Sequence, residues 1–204
     1  TMGWRVADAY VQAGEVGDLK EVHCWTPSHE SHLHTNVPRP KGEDPVPSGL
    51  DWDLWVGPAP MRPYKNGVYH PKRWRGWTDF GGGALADWCC HLFNASYKIF
   101  SPGFPTSVEL IQSAQRFNGE SYPDSKTIKW SFPSQGGKPA FDAFWYDGGP
   151  QPPRPKVLEK GRNLGSAGCL IVGEKGTVLI QGGHNNSAIL IPEKRRKAHG
   201  KPKI

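Results

Sequence analysis

Residues 75–93 read RGWTDFGGGALADWCCHLF. Whether the three consecutive glycines, Gly81 to Gly83, open a dinucleotide-binding turn or only lead into a helix decides what kind of domain this is. Residues 81–86, GGGALA, formally match the G-x-G-x-x-A variant of the dinucleotide fingerprint. That fingerprint needs a buried apolar strand immediately before it and an acidic residue about 20 positions further on. The preceding residues are WRGWTDF, and the corresponding region downstream is Ser101-Pro102-Gly103, so neither condition is met. The stretch therefore predicts a tight glycine turn and then a helix that ends near Phe100. Asp87 and His91 stand four residues apart on that helix, on one face and one turn apart. A carboxylate and an imidazole on a rigid element can serve as an orienting group and a proton-transfer group. The same spacing also describes a surface ion pair or a satisfied core histidine. Trp74, Arg75, Trp77 and Asp79 crowd aromatic and charged groups at the mouth of the helix, as a small-molecule site requires.

Working outward, Val6, Ala9, Tyr10 and Ala13 recur at helical spacing, with Gly14 as a stop. Residues 19–26 read as a strand. Residues 27–49 form a loop rich in proline and histidine. His29, His32 and His34, with His23 and Glu30, are residue types that zinc uses, but no second defined cluster accompanies them, so no metal is assigned. Residues 50–55, LDWDLW, suggest a one-turn helix. Strand-like runs follow at 106–117, 127–132, 141–146, 169–172, 177–180 and 188–191. In the second of these, Ile128, Trp130 and Phe132 alternate with Thr127, Lys129 and Ser131. Residues 173–176, GEKG, carry a hairpin signature, and the loop at 147–168 holds Pro150, Pro152, Pro153 and Pro155. Strands joined by short turns imply an α+β fold, an open-faced and mostly antiparallel sheet with helices on one face. The other face is left to solvent or a partner. An apolar face bare over several strands predicts a two-fold homodimer, or a higher oligomer, burying more than about 1,000 Å2.

Composition bounds the rest. The 204 residues suffice for one large domain, and 25 glycines and 20 prolines point to long ordered loops. Cys24, Cys89, Cys90 and Cys169 lack C-x-x-C spacing and read as buried thiols in a reducing, cytoplasmic compartment. No run of about 18 apolar residues exists, so no membrane span is expected. The net charge of +6 is concentrated partly in residues 193–197, EKRRK, with Lys201 and Lys203 beyond. Such a run can bind nucleic acid, but the reading preferred here is a solvated terminus. Thr1-Met2-Gly3 leading straight into a helix does not resemble a natural start, so the chain reads as a fragment, and an export signal on a longer N-terminus stays open.

Three long words carry a resemblance: LDWDLWVGPAP at 50–60, WRGWTDFGGGALADWCCH at 74–91 and GCLIVGEKGTVLI at 168–180. They resemble the C-terminal substrate domain of the glucose–fructose oxidoreductase and inositol dehydrogenase (Gfo/Idh/MocA) family. VGDLKEVH, 16–23, looks like that family's crossover from its nucleotide domain. The resemblance implies residues 1–17 as a crossover helix and 18–204 as a substrate-binding and oligomerisation domain. It implies a two-domain, NAD- or NADP-dependent oxidoreductase acting on a sugar, polyol or related hydroxy compound. The family's D-x-x-x-H motif falls on Asp87 and His91, His91 taking the hydroxyl proton and Asp87 orienting substrate or histidine. Arg75, Trp77, Asp79 and Trp74 are then expected to bind substrate. The family's glycine fingerprint and its Glu-Lys-Pro lysine have no counterpart here: Gly176 follows Glu174-Lys175 and Arg195 follows Glu193-Lys194. No tightly bound dinucleotide is expected on this chain, and the cofactor-binding residues lie elsewhere. Two other readings stand beside it: an NAD-dependent glycosidase of the same family, and a non-catalytic carbohydrate-binding or scaffold domain, for which sugar-stacking tryptophans would suit equally.

Overall fold

A computed structural model describes residues 1–27, 34–200, 202 and 204. The chain runs α1 (Met2–Gln12), β1 (Leu19–Thr26), α2 (Trp52–Val56), α3 (Gly83–Leu92), α4 (Asn94–Phe100), β2 (Ser107–Ser113), β3 (Lys126–Phe132), β4 (Phe141–Asp147), β5 (Gly168–Gly173), β6 (Thr177–Gln181), β7 (Ser187–Ile191) and α5 (Glu193–His199). The seven strands form one sheet in the order β2-β3-β4-β1-β5-β6-β7. Only β1 and β4 pair in parallel, and the other five pairings are antiparallel. The α+β, mostly antiparallel sheet read from the sequence is therefore the fold.

The period of two sorts the side chains. Val22, Cys24, Ile128, Trp130, Ala143, Trp145, Cys169, Ile171, Val178, Ile180 and Leu190 share one face and make the main core. Ala7 and Tyr10 of α1, Leu92 of α3 and Ala95 of α4 close it. Each large apolar side chain buried there is worth about 1.5–3 kcal/mol, so this face sets where the helices sit. Gly3 lets α1 approach the β6–β7 turn: a Cβ there would lie 2.2 Å from the Asn185 carbonyl oxygen. The helix predicted to end near Phe100 is interrupted at Phe93, whose ring stacks on Trp130 at 6.0 Å between centroids.

Three sequence expectations need correction. The second face is not bare. Residues 148–167 fold across it, burying Leu158 and Leu164 against Trp25, Tyr146, Leu170 and Leu179, and the Trp25 Nε1 donates to the Gly165 carbonyl oxygen at 3.1 Å. Alternation cannot tell which face a loop will cover, and Val178 and Ile180 point to the helix side. The tail at 193–199 is a helix, clamped by Arg195 and His199 to Glu15 at 2.5 and 3.2 Å. Cys90 is exposed, because consecutive positions on α3 face different directions.

Candidate functional site

The segment that precedes α3 has little regular structure, and buried polar contacts hold it in place. Arg62, whose side chain is 1% exposed, lies 4.8 Å over the Phe80 ring and 5.3 Å over Tyr69, and donates to Asp79. Arg39 reaches Glu120 at 2.8 Å, and Trp52 Nε1 donates to the Arg62 carbonyl oxygen at 2.7 Å. A buried guanidinium needs a carboxylate, and aromatic faces add cation–π attraction. Beside this cluster, the Trp74 amide donates to the Tyr69 carbonyl oxygen at 2.8 Å and the Tyr122 amide to the Gly76 carbonyl oxygen at 3.2 Å, holding the 3-10 turn Arg73–Gly76.

Gly81 to Gly83 serve chain packing. The element immediately before them is the 3-10 turn, not a strand. A Cβ on Gly81 would lie 2.8 Å from the Arg75 backbone, and one on Gly83, at φ +65, 2.9 Å from the Tyr122 ring. The turn is filled by this chain's own residues, so they do not fit a dinucleotide here.

The predicted residues are brought to α3 but divided among surroundings. Asp87 accepts from Arg75 Nε at 2.9 Å, and Arg75 also donates to the Lys72 carbonyl oxygen at 3.1 Å while lying 4.5 Å over the Trp74 ring. Arg75 and Asp87 line a cavity of about 540 Å3 with His70, Lys72 and Arg73. Trp74 and Asp79 line a second, smaller hollow of about 320 Å3 with Trp55 and Phe80. Asp79 is committed to Arg62. Trp77 needs correction as a substrate contact: it is 0% exposed, with its Nε1 donated to the Val68 carbonyl oxygen at 3.1 Å, so it offers no ring face to a ligand. A tryptophan beside a glycine turn is buried as readily as displayed, and the sequence does not separate the two.

His91 is exposed at the C-terminal end of α3. Its ring centroid is 4.9 Å from His184 and 6.0 Å from Trp88, and its carbonyl oxygen accepts from Asn185 Nδ2 at 2.7 Å. The β6–β7 turn thus supplies a second imidazole that the sequence reading missed. Its only signal was a histidine between glycines and asparagines in a hairpin turn. Nor did the sequence reading single out His70, Lys72 or Arg73. Of the histidine-rich loop, His29, Glu30 and His32 lie outside the described residues. His34 meets Arg73, and burial with that nearby charge lowers its pKa. His23 is buried on the second sheet face between Tyr146 and Glu21. Among the described residues no group of three or more His, Cys, Asp or Glu side chains is placed to hold a metal, and no helix is long and apolar enough to cross a membrane.

The chain is thus an α+β sheet domain that carries Asp87 and His91 one turn apart on α3. Residues 35–129, a little under half the chain, match the Gfo/Idh/MocA model described as "Oxidoreductase family, C-terminal alpha/beta domain". The resemblance read from the sequence is borne out there. Similar solved structures include the WlbA dehydrogenase from Bordetella pertussis in complex with NADH and UDP-GlcNAcA, 16% identical over 94% of this chain and 43% of that one, TM-score 0.49. A levoglucosan dehydrogenase in complex with NADH and levoglucosan is 13% identical over 93% of this chain and 42% of its own, TM-score 0.44. An oxidoreductase from Thermotoga maritima is 14% identical over 97% and 47%, TM-score 0.44. The chain thus spans less than half the length of these proteins. No curated protein matches it in sequence.

Proposed function

We propose that this chain is the substrate half of an NAD(P)-dependent oxidoreductase that oxidises or reduces a sugar, polyol or related hydroxy compound. The observation that carries the reading is the position of Asp87 and His91: both on α3, both reachable from solvent, and both inside the stretch that matches the oxidoreductase model. The nicotinamide cofactor would accept or deliver the hydride, held by a nucleotide-binding domain outside residues 1–204. Residues 1–17 would then be the crossover and 18–204 the substrate domain.

This chain's residues handle the proton and the substrate. A carbinol carbon gives up hydride only as its hydroxyl proton leaves, so a base must stand within hydrogen-bond reach. His91 is that base, exposed beside the His184 ring. Asp87, fixed by Arg75, keeps lone pairs to accept a substrate hydroxyl, since a carboxylate has about four acceptor sites. Arg75 and Trp74 would add a donor and an aromatic face. Self-association through the second sheet face is part of the same reading, seated on the half-buried Phe144, Val172 and Ile189 beside the 148–167 loop.

The test is His91→Asn in a form that carries the nucleotide-binding domain. kcat should fall by about 10²–10⁴, with the melting temperature unchanged because the side chain is exposed. Unchanged kcat on every hydroxy substrate that the parent turns over would sink the assignment. Assaying aryl glycosides beside free polyols separates dehydrogenase from glycosidase.

A further inference from the structure

The cavity of about 540 Å3 beside Asp87 is cationic. Lys72, Arg73 and Arg75 line it with His70, against the single carboxylate of Asp87. Two of these cations are already oriented. Arg75 is stacked on Trp74 and bonded through Nε and Nη1, which leaves part of its five-donor fork to spare. Arg73 is steered by His34 Nε2, and burial of that imidazole, with the Arg73 charge beside it, favours the neutral form that can accept. Two carboxylates of the adjoining loop cluster are engaged elsewhere, Asp79 by Arg62 and Glu120 by Arg39. Three cations gathered around one cavity repel one another unless an anion joins them, and an uncharged polyol gives no reason to gather them. A guanidinium fork matches the planar or tetrahedral oxygens of carboxylate and phosphate.

We propose that this cavity takes the anionic group, phosphate or carboxylate, of a sugar-derived substrate. The inference rests on α3 as the active helix: Asp87 lines the cavity, and His91 lies one turn further along the same helix, about 6 Å along its axis. The volume suits a monosaccharide derivative, within the roughly 300–1,000 Å3 of ordinary ligand sites.

The experiment is calorimetry on this chain with glucose, glucose 6-phosphate and glucuronate, at low and high salt. One or both anions should bind at least about tenfold more tightly than glucose, with an advantage that shrinks in salt; which anion wins separates phosphate from carboxylate. The double variant Lys72→Gln, Arg73→Gln should remove the advantage, and Lys72→Arg should retain it, both with the parent's thermal melt. Equal binding of glucose and its anionic derivatives overturns the proposal, as does absence of anion binding or anion binding that survives the double variant. NADH competing for the same cations also overturns it. His91→Asn should leave anion binding intact, so failure of the charge test and failure of the proton-transfer reading are told apart.

Discussion

Arg75 donates from Nε to Asp87 at 2.9 Å across the gap between the 3-10 turn and α3, while its guanidinium lies 4.5 Å over the Trp74 ring. Both side chains are about one-third exposed, so the pair contributes little to folding, about 0.5 kcal/mol. Its effect is on geometry. Arg75→Ala should leave chemical unfolding within about 1 kcal/mol of the parent, yet raise KM about tenfold or more, with a smaller effect on kcat. Arg75→Lys should not restore KM, because an ammonium has no planar fork to stack and bond at once. A stability loss without a KM change would show that the pair only staples the loop.

A different result is expected at Asp147. Its Oδ2 is 2.7 Å from Lys126 Nζ and accepts from Trp145 Nε1 at 2.7 Å, and its Oδ1 accepts from the Lys126 amide at 3.0 Å. Both side chains of this ion pair are buried. Asp147→Ala strands the Lys126 charge and the indole donor, and should cost about 3–5 kcal/mol in urea unfolding. Lys126→Met should cost less, since Asp147 keeps two neutral donors. Equal, small effects would mean that water enters the end of the β3–β4 ladder.

His23 gives the chain a pH dependence of definite sign. Burial lowers its pKa, opposed by its bond to Glu21. The unfolded chain therefore binds the proton more readily, and stability is full above the ordinary value of 6.5 and falls as pH drops from there toward the lower folded value. His34, lowered by burial and by Arg73, acts in the same direction. Melting temperature should decline between about pH 7 and pH 5, and His23→Gln should flatten that slope. A slope unchanged in His23→Gln would assign it elsewhere.

Gly83 tests the glycine turn. At φ +65, with the Tyr122 ring 2.9 Å from a virtual Cβ, Gly83→Ala should destabilise by about 1–2 kcal/mol or more. Gly119→Ala shares a left-handed φ of +87 but meets nothing within 4 Å, so it should cost less, and comparing the two melts isolates the steric part.

The proposed self-association is read by sedimentation. Val172→Glu places a carboxylate at the half-buried edge of the second-face cluster and should shift a dimer to monomer at micromolar concentration. A parent chain that is monomeric throughout would remove the interface.

The order of strands and turns was legible because it is local. Alternation at Ile128, Trp130 and Phe132, the GEKG hairpin and the glycines before α3 each act over a few residues, and each gave the element found. The same spacing placed Asp87 and His91 on one helix, since helical period needs no tertiary information. Only the tertiary structure decided that Trp77 goes inside while Arg75 and Asp87 line a cavity. It alone turned the proline-rich 148–167 loop back over the sheet and set His184 against His91 from 93 positions away. The reason is physical. Periodicity fixes which way a side chain leaves its own element, but burial depends on what the rest of the chain lays against it, and contacts across such distances are not written in any local pattern.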